Sequence, residues 1–234
     1  MKYYALALAL LILSIISIQT MEINQSRVNC PKFEMVNPSI YASNQIFVFK
    51  VEKRNGFVVE TDTVILRSFN KPWAVDKAQL KACWLRSISD SASCRAGTGI
   101  VESDSMIWLH PIRDDEYAIL EYSPFPQIKL PAQLGATWSE DFVTGGNKWG
   151  NNQWVKHDGL FSILYQYHIT SGSMATYKGS AIPVFNIEAT GTSSVSGKSK
   201  LKYSFSYGYG FVSLVYSNID GSVFSFDLID RIQL

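Results

Sequence analysis

The stretch KSKLKYSFSYGYGFVSLVYSNIDGSVFSFDLI, Lys198 to Ile229, decides the fold class, because it reads as three consecutive antiparallel strands with their turns marked. Tyr203, Phe205, Tyr207 and Tyr209 alternate with Ser204, Ser206, Gly208 and Gly210. That period of two is a strand with one apolar face and one small, smooth face. The run Ser217-Asn218-Ile219-Asp220-Gly221-Ser222 is a turn signal. Beyond it Phe224, Phe226 and Leu228 share one face and Val223, Ser225 and Asp227 the other. Gly208 and Gly210 mark a bend between strands.

Working outward, the same grammar recurs. Gln45–Glu52 is rich in Ile, Phe and Val, and Asn55-Gly56 suits a type I′ hairpin turn into a partner strand, Phe57–Thr61. Thr63–Phe69, Met106–Leu109, Tyr117–Tyr122, Thr137–Val143, Leu160–Ile169 and Ile182–Ala189 follow as further strands. One amphipathic helix is expected over 76–88: Asp76 caps it, Gln79 reaches back, and Leu80, Cys83, Trp84, Ser87 and Ile88 fall on one face. The prolines of 123–131 mark a possible internal boundary, since proline does not join a central strand. With so many strands to one helix, the chain is mainly β: a curved antiparallel sheet, built as a half-open barrel or a two-sheet sandwich.

Composition narrows the function classes. A chain of 234 residues, 47% apolar and 13% aromatic, fills a sizeable core. Its 21 Lys and Arg against 20 Asp and Glu, without a basic cluster, point away from nucleic acid. Residues 1–20 carry one charge, Lys2, followed by an apolar run, as an export signal does. Removal leaves 20 basic against 20 acidic groups in the mature chain. Retention as an N-terminal membrane anchor is the alternative. Residues 21–44 read as an irregular lead-in that becomes ordered only by docking on the sheet, and 45–234 as one β-rich domain. Localisation is then periplasmic or at the cell surface, where thiols meet an oxidising compartment. Of three cysteines, Cys83 and Cys94 are the expected disulfide across a short loop, with a bridge from Cys30 to either as the alternative.

No catalytic motif stands out. Glu102 with Asp104, Asp114 to Glu116, and Glu140 with Asp141 supply carboxylates for sugar hydrolysis in principle, but each group lies at a turn or strand end, where solvated charge is the simpler reading. His110, His157 and His168 lack metal-ligand spacing, so no metal and no cofactor is expected. GTSSVSG, 191–197, lacks a nucleophile-elbow order. The sharpest functional pattern is the loop Asn147–Trp154: Trp149 and Trp154 stand beside Asn152 and other amides, a mixture suited to stacking sugar rings.

The succession Tyr122-Ser123-Pro124-Phe125-Pro126, then Pro131-x-x-x-Gly135-x-x-Trp138, then Y-G-Y-G-F-V at 207–212 resembles a group of uncharacterised exported bacterial β-rich proteins. That resemblance spans roughly Tyr122 to Leu228 and implies a curved sheet akin to lipoprotein-carrier half-barrels. It carries no catalytic residues. Arg27-Val28-Asn29 before Cys30 is not a lipidation signal, so the resemblance does not extend to lipid attachment here. The expectation is an exported, non-enzymatic protein whose concave aromatic wall, with Phe205, Tyr207, Phe224 and Phe226, binds a lipid or other apolar or amphipathic ligand. A carbohydrate-binding module using Trp149, Asn152 and Trp154 is the rival, a glycoside hydrolase the third. A cell-envelope protein partner is compatible with each.

Overall fold

The computed structural model describes residues 39–87, 94, 97–145 and 153–234; the leader, Cys30, Trp149 and Asn152 lie outside them. The strands are β1 (Gln45–Asn55), β2 (Val58–Pro72), β3 (Leu80–Leu85), β4 (Gly97–Glu102), β5 (Met106–Leu109) and β6 (Gln127–Lys129), then β7 (Thr137–Gly145), β8 (Leu160–Tyr177), β9 (Ser180–Ser193), β10 (Gly197–Ser206), β11 (Gly210–Ser217) and β12 (Val223–Gln233). They form one 12-stranded antiparallel sheet in the order β6-β5-β4-β3-β2-β1-β12-β11-β10-β9-β8-β7. Two meanders, β1–β6 and β7–β12, are thus joined side by side where β1 pairs with β12 along Gln45↔Gln233 to Arg54↔Val223. The sheet curls into a half-barrel. Its two edge strands, β6 and β7, are consecutive in the chain, and Trp138 Nε1 of β7 donates to Gln127 Oε1 of β6 at 2.8 Å.

Alternation puts one face of each strand inside. In β8, Phe161, Ile163, Tyr165, Tyr167 and Ile169 are buried while Leu160, Ser162, Leu164, Gln166 and His168 are exposed. The expected three strands over 198–229 are present as β10, β11 and β12, with Tyr203, Phe205, Phe224, Phe226 and Leu228 buried. Tyr207 and Tyr209 fall in the turn after β10, not on the strand. Gly210 then takes φ +78°, and a Cβ there would collide with the Tyr41 hydroxyl, which accepts a hydrogen bond from Phe211 N–H at 3.1 Å. Glycine is required on both counts.

Residues 39–44, the described end of the expected lead-in, are held at Glu102 of β4. Glu102 accepts hydrogen bonds from the backbone N–H groups of Ile40 (2.5 Å), Tyr41 (2.9 Å) and Ala42 (2.7 Å). A carboxylate read as a solvated turn charge therefore satisfies three amides of an otherwise irregular turn.

Several expectations are corrected. Among the described residues, 76–87, the helix expected over 76–88 is not formed: Leu80–Leu85 is strand β3, paired with β2 and β4. Asp76 does cap, but it caps a turn, accepting from Ala78 N–H (3.0 Å) and Gln79 Nε2 (3.0 Å). Ala82 and Trp84 face inward while Cys83 and Leu85 join Ile46 and Ile65 in a small cluster on the opposite face. Two apolar faces in a short run mimic helical spacing, and pairing on both sides decides for the strand. Cys83 and Cys94 are joined on that outer face, with Cα atoms 5.7 Å apart. Tyr117–Tyr122 is no strand either, but the greater part of a 3-10 helix, Asp115–Tyr122. Val58–Thr61 and Thr63–Phe69 are parts of one strand, β2, and Phe57 stands in the turn before it. Its hairpin with β1 has Gly56 and Phe57 as loop residues, with positive φ at Gly56 alone, the type II′ rather than the I′ pattern.

Candidate functional site at one end of the half-barrel

The hollow of the sheet is occupied by the chain itself. Residues 110–126 run through it, the 3-10 helix included, and lead into β6; Tyr117–Ile128 are all buried. Such a segment cannot complete its backbone hydrogen bonds as a sheet or long helix does, because Pro111, Pro124 and Pro126 interrupt it. Buried carbonyls need partners, and sheet side chains supply them. Ser199 Oγ donates to the Tyr122 carbonyl (2.9 Å), and the Tyr167 hydroxyl donates to that of Phe125 (3.1 Å). The Tyr203 hydroxyl donates to the Gln127 carbonyl and accepts from Gln127 N–H at 3.4 Å. Ser123 Oγ donates to Asn218 Oδ1 (3.2 Å), Trp84 Nε1 to the His110 carbonyl (3.0 Å), and Ala132 N–H to the Tyr207 hydroxyl (3.0 Å). Burial pushes the Tyr167 and Tyr203 phenols well above their ordinary range, so they remain protonated donors.

This explains why the wall is rich in tyrosine rather than phenylalanine alone. The residues expected to line an open wall meet this segment or one another. Phe224 and Phe226 contact the Tyr117 ring at 5.7 and 5.8 Å between centroids. Phe205 lies between Tyr207 (5.7 Å) and Phe211 (5.4 Å).

At the end of the half-barrel where the β1–β2 hairpin and the β11–β12 turn lie, a cleft of about 220 Å³ remains. The hairpin supplies Lys53, Arg54, Asn55, Val58 and Glu60, and the 3-10 helix supplies Glu116 and Ile119. Trp154 enters from the connection before β8, with Asp220, Ser222 and Phe224 from the β11–β12 hairpin. Trp154 is half-buried and packs on the core, so one part of its ring is fixed and the rest lines the cleft. The turn beneath is preorganised: Asp220 Oδ1 accepts from Ser222 N–H (2.9 Å) and Oγ (2.6 Å), and Asn218 Nδ2 donates to Ser222 Oγ (3.1 Å). Phe224 and Trp154, taken from two rival readings of the sequence, therefore meet in one place. No pattern in the sequence marks Lys53, Glu60, Glu116 or Ile119, which come from two segments far apart in the chain.

The rim is electrostatically paired. Lys53 Nζ lies 3.3 Å from Glu60 Oε2 and 2.9 Å from Glu116 Oε1. Arg86 adds contacts to Glu116 at 3.2 Å and to Asp62, and its guanidinium sits 4.7 Å from the Tyr117 ring centroid. Burial pulls the Lys53 ammonium down, yet Glu116 and Glu60 outweigh it and hold the group above its ordinary value. Burial pushes Glu116 up, and Lys53 and Arg86 overcome that and hold it below. Glu60 and Glu116 are close neighbours through a shared lysine, but Glu116 is kept ionised, which removes the proton a general acid would deliver. Of the other acids, Glu140 and Asp141 are exposed on β7.

The histidines stay apart. His110 is buried; its Nδ1 bonds the Pro111 carbonyl (2.8 Å) and its Nε2 accepts from Arg113 Nη1 (3.2 Å), with Glu121 Oε2 at 3.5 Å. Burial, aided by the Arg113 charge, lowers its pKa to about 4. His157 stands edge-on to Phe161, and His168 lies on the exposed face of β8. Among the described residues no group of three or more His, Cys, Asp or Glu side chains is arranged to hold a metal ion.

No protein-family model matches the chain, and no curated protein matches it significantly. Among solved structures it is similar to the hypothetical lipoprotein YmcC from Escherichia coli (K12), at 9% identity and TM-score 0.40, over 84% of this chain and 90% of that one. A likeness that distant transfers neither activity nor ligand.

Proposed function

We propose that this is an exported, non-enzymatic binding protein of the cell envelope that takes a small amphipathic ligand in the end cleft. The observation that carries the reading is the convergence of Trp154, Ile119 and Phe224, an apolar floor, with the ionic rim of Lys53, Glu60 and Glu116 in one cleft of about 220 Å³. That volume accommodates a single ring or the end of an acyl chain; the rim suits a polar head. Export is supported by the leader-like residues 1–20 and by the Cys83–Cys94 bridge, a feature of oxidising compartments.

A sugar ring is the second reading, favoured by the half-exposed Trp154 face beside Asn55 and Asp220. Octyl glucoside below its micellar concentration presents both chemistries, and decanoate and free glucose separate them. The expected result by calorimetry is saturable binding of octyl glucoside that weakens at least tenfold in Trp154→Ala. Binding of glucose alone at comparable strength would favour the sugar reading. An absence of saturable binding by all three compounds, or binding indifferent to Trp154→Ala, would contradict the proposal.

A further inference from the structure

Of the tip of the β1–β2 hairpin, Asn55 and Val58 line the cleft, while Phe57 and Val59 do not, and together the apolar residues of the tip make an exposed surface. Phe57 is fully exposed, and Val58 and Val59 are 61% and 51% exposed. The ladder continues to Asn55↔Val58, and Gly56 at φ +59° closes the turn, so the apolar residues cap a tight, paired hairpin. An exposed apolar cluster of this kind is a candidate contact surface.

Its size selects among partners. A fully exposed phenylalanine with two half-exposed valines offers roughly 400 Å² at most, about half of the ~800 Å² that each side of a stable protein interface contributes. Insertion into the headgroup region of a bilayer, by contrast, needs only an aromatic ring and a few apolar neighbours. The charges at the hairpin neck argue for the kind of surface. Lys53 is engaged by Glu60 and Glu116, and Arg54 Nη2 by Glu52 at 3.0 Å. Compensated in this way, the neck offers no net positive charge to anionic headgroups.

We propose that Phe57, Val58 and Val59 form an interfacial membrane contact, driven by apolar insertion rather than by attraction to anionic lipid. Because Val58 also lines the cleft, insertion brings the cleft mouth to the lipid surface.

The test is co-sedimentation with phosphatidylcholine vesicles, with hydrogen exchange followed over residues 54–60. The expected result is binding that is insensitive to 0.5 M salt and to added phosphatidylglycerol, falls at least fivefold in Phe57→Ser, and slows exchange of the tip amides. Phe57 is fully exposed, so Phe57→Ser should leave the melting temperature unchanged and retain octyl glucoside binding. That separates failure of this contact from failure of the cleft. Four outcomes would overturn the proposal. One is no binding by the parent; another is undiminished binding by Phe57→Ser without tip protection. The others are binding that requires anionic lipid and disappears with salt, and a solution dimer that Phe57→Ser dissociates.

Discussion

The hollow of the half-barrel and the cleft at its end are built from similar aromatic side chains, yet they stand in opposite states of completion. In the hollow, the hydroxyls of Tyr167, Tyr203 and Tyr207 are spent on the backbone of residues 125–132. In the cleft, the Trp154 ring is half-buried and the charges around it are paired with one another. Aromatic content alone therefore does not locate a binding surface in a curved sheet. What separates the two regions is whether the chain has already supplied the occupant.

That contrast can be broken most severely at the segment itself. Leu120 is fully buried in the 3-10 helix, and Leu120→Ala should cost about 2–5 kcal/mol, measured by urea denaturation. A loss below about 1 kcal/mol would mean that the segment is a loose filling. Next in size is the buried imidazole. Folded His110 titrates near 4 against an ordinary 6.5, so between these values the unfolded chain takes up a proton that the folded chain refuses. Its contribution is complete above about pH 6.5 and is lost as pH falls toward 4, on the order of 3 kcal/mol in all. Comparing unfolding free energies at pH 7 and pH 4.5 for the parent and His110→Gln should show a flatter dependence in the variant, with Arg113 and Glu121 present in both.

A finer comparison lies within the hollow. Tyr203→Phe strips both partners from Gln127 and should cost about 1–3 kcal/mol. The hydroxyls of Tyr165 and Tyr216 are buried without a hydrogen-bond partner among the described residues, so Tyr216→Phe should be neutral within about 0.5 kcal/mol or stabilising. Equal effects from the two substitutions would show that tyrosine hydroxyls are not what secures the segment. Smallest of all, Lys53→Met at the cleft should change stability by less than about 1 kcal/mol, since its carboxylate partners are substantially exposed.

Much of the sheet was legible because one-sided burial writes itself as alternation. Phe161 to Ile169 and Phe224 to Leu228 announce their faces, and the turn at 218–222 is spelled by Asn, Asp and Gly. Where burial is two-sided or all-round, that signal is lost. Cys83 and Trp84 both point into apolar surroundings from opposite faces of β3, and the sum resembles a helix. Tyr117–Tyr122 is buried throughout, leaving no period to read. The prolines of 123–131 correctly forbid a central strand, but they do not show that the chain there runs inside the sheet. The cleft was half-legible: Trp154 and Phe224 stood out by type, while Lys53, Glu60 and Glu116 are ordinary surface residues until the fold brings them together.

The claim that the chain fills its own hollow is tested most directly by native-state hydrogen exchange, comparing Ser123 of the segment and Gln127, where it joins β6, with the sheet centre, Phe49 and Phe226. Ser123 N–H donates to the Leu120 carbonyl and Gln127 N–H to the Tyr203 hydroxyl, both in buried surroundings. All four amides should exchange only through global unfolding, at the same free energy within about 1 kcal/mol. Exchange at Ser123 and Gln127 several kcal/mol easier than at Phe49 and Phe226 would contradict it, because the segment would then leave the hollow while the sheet stays folded.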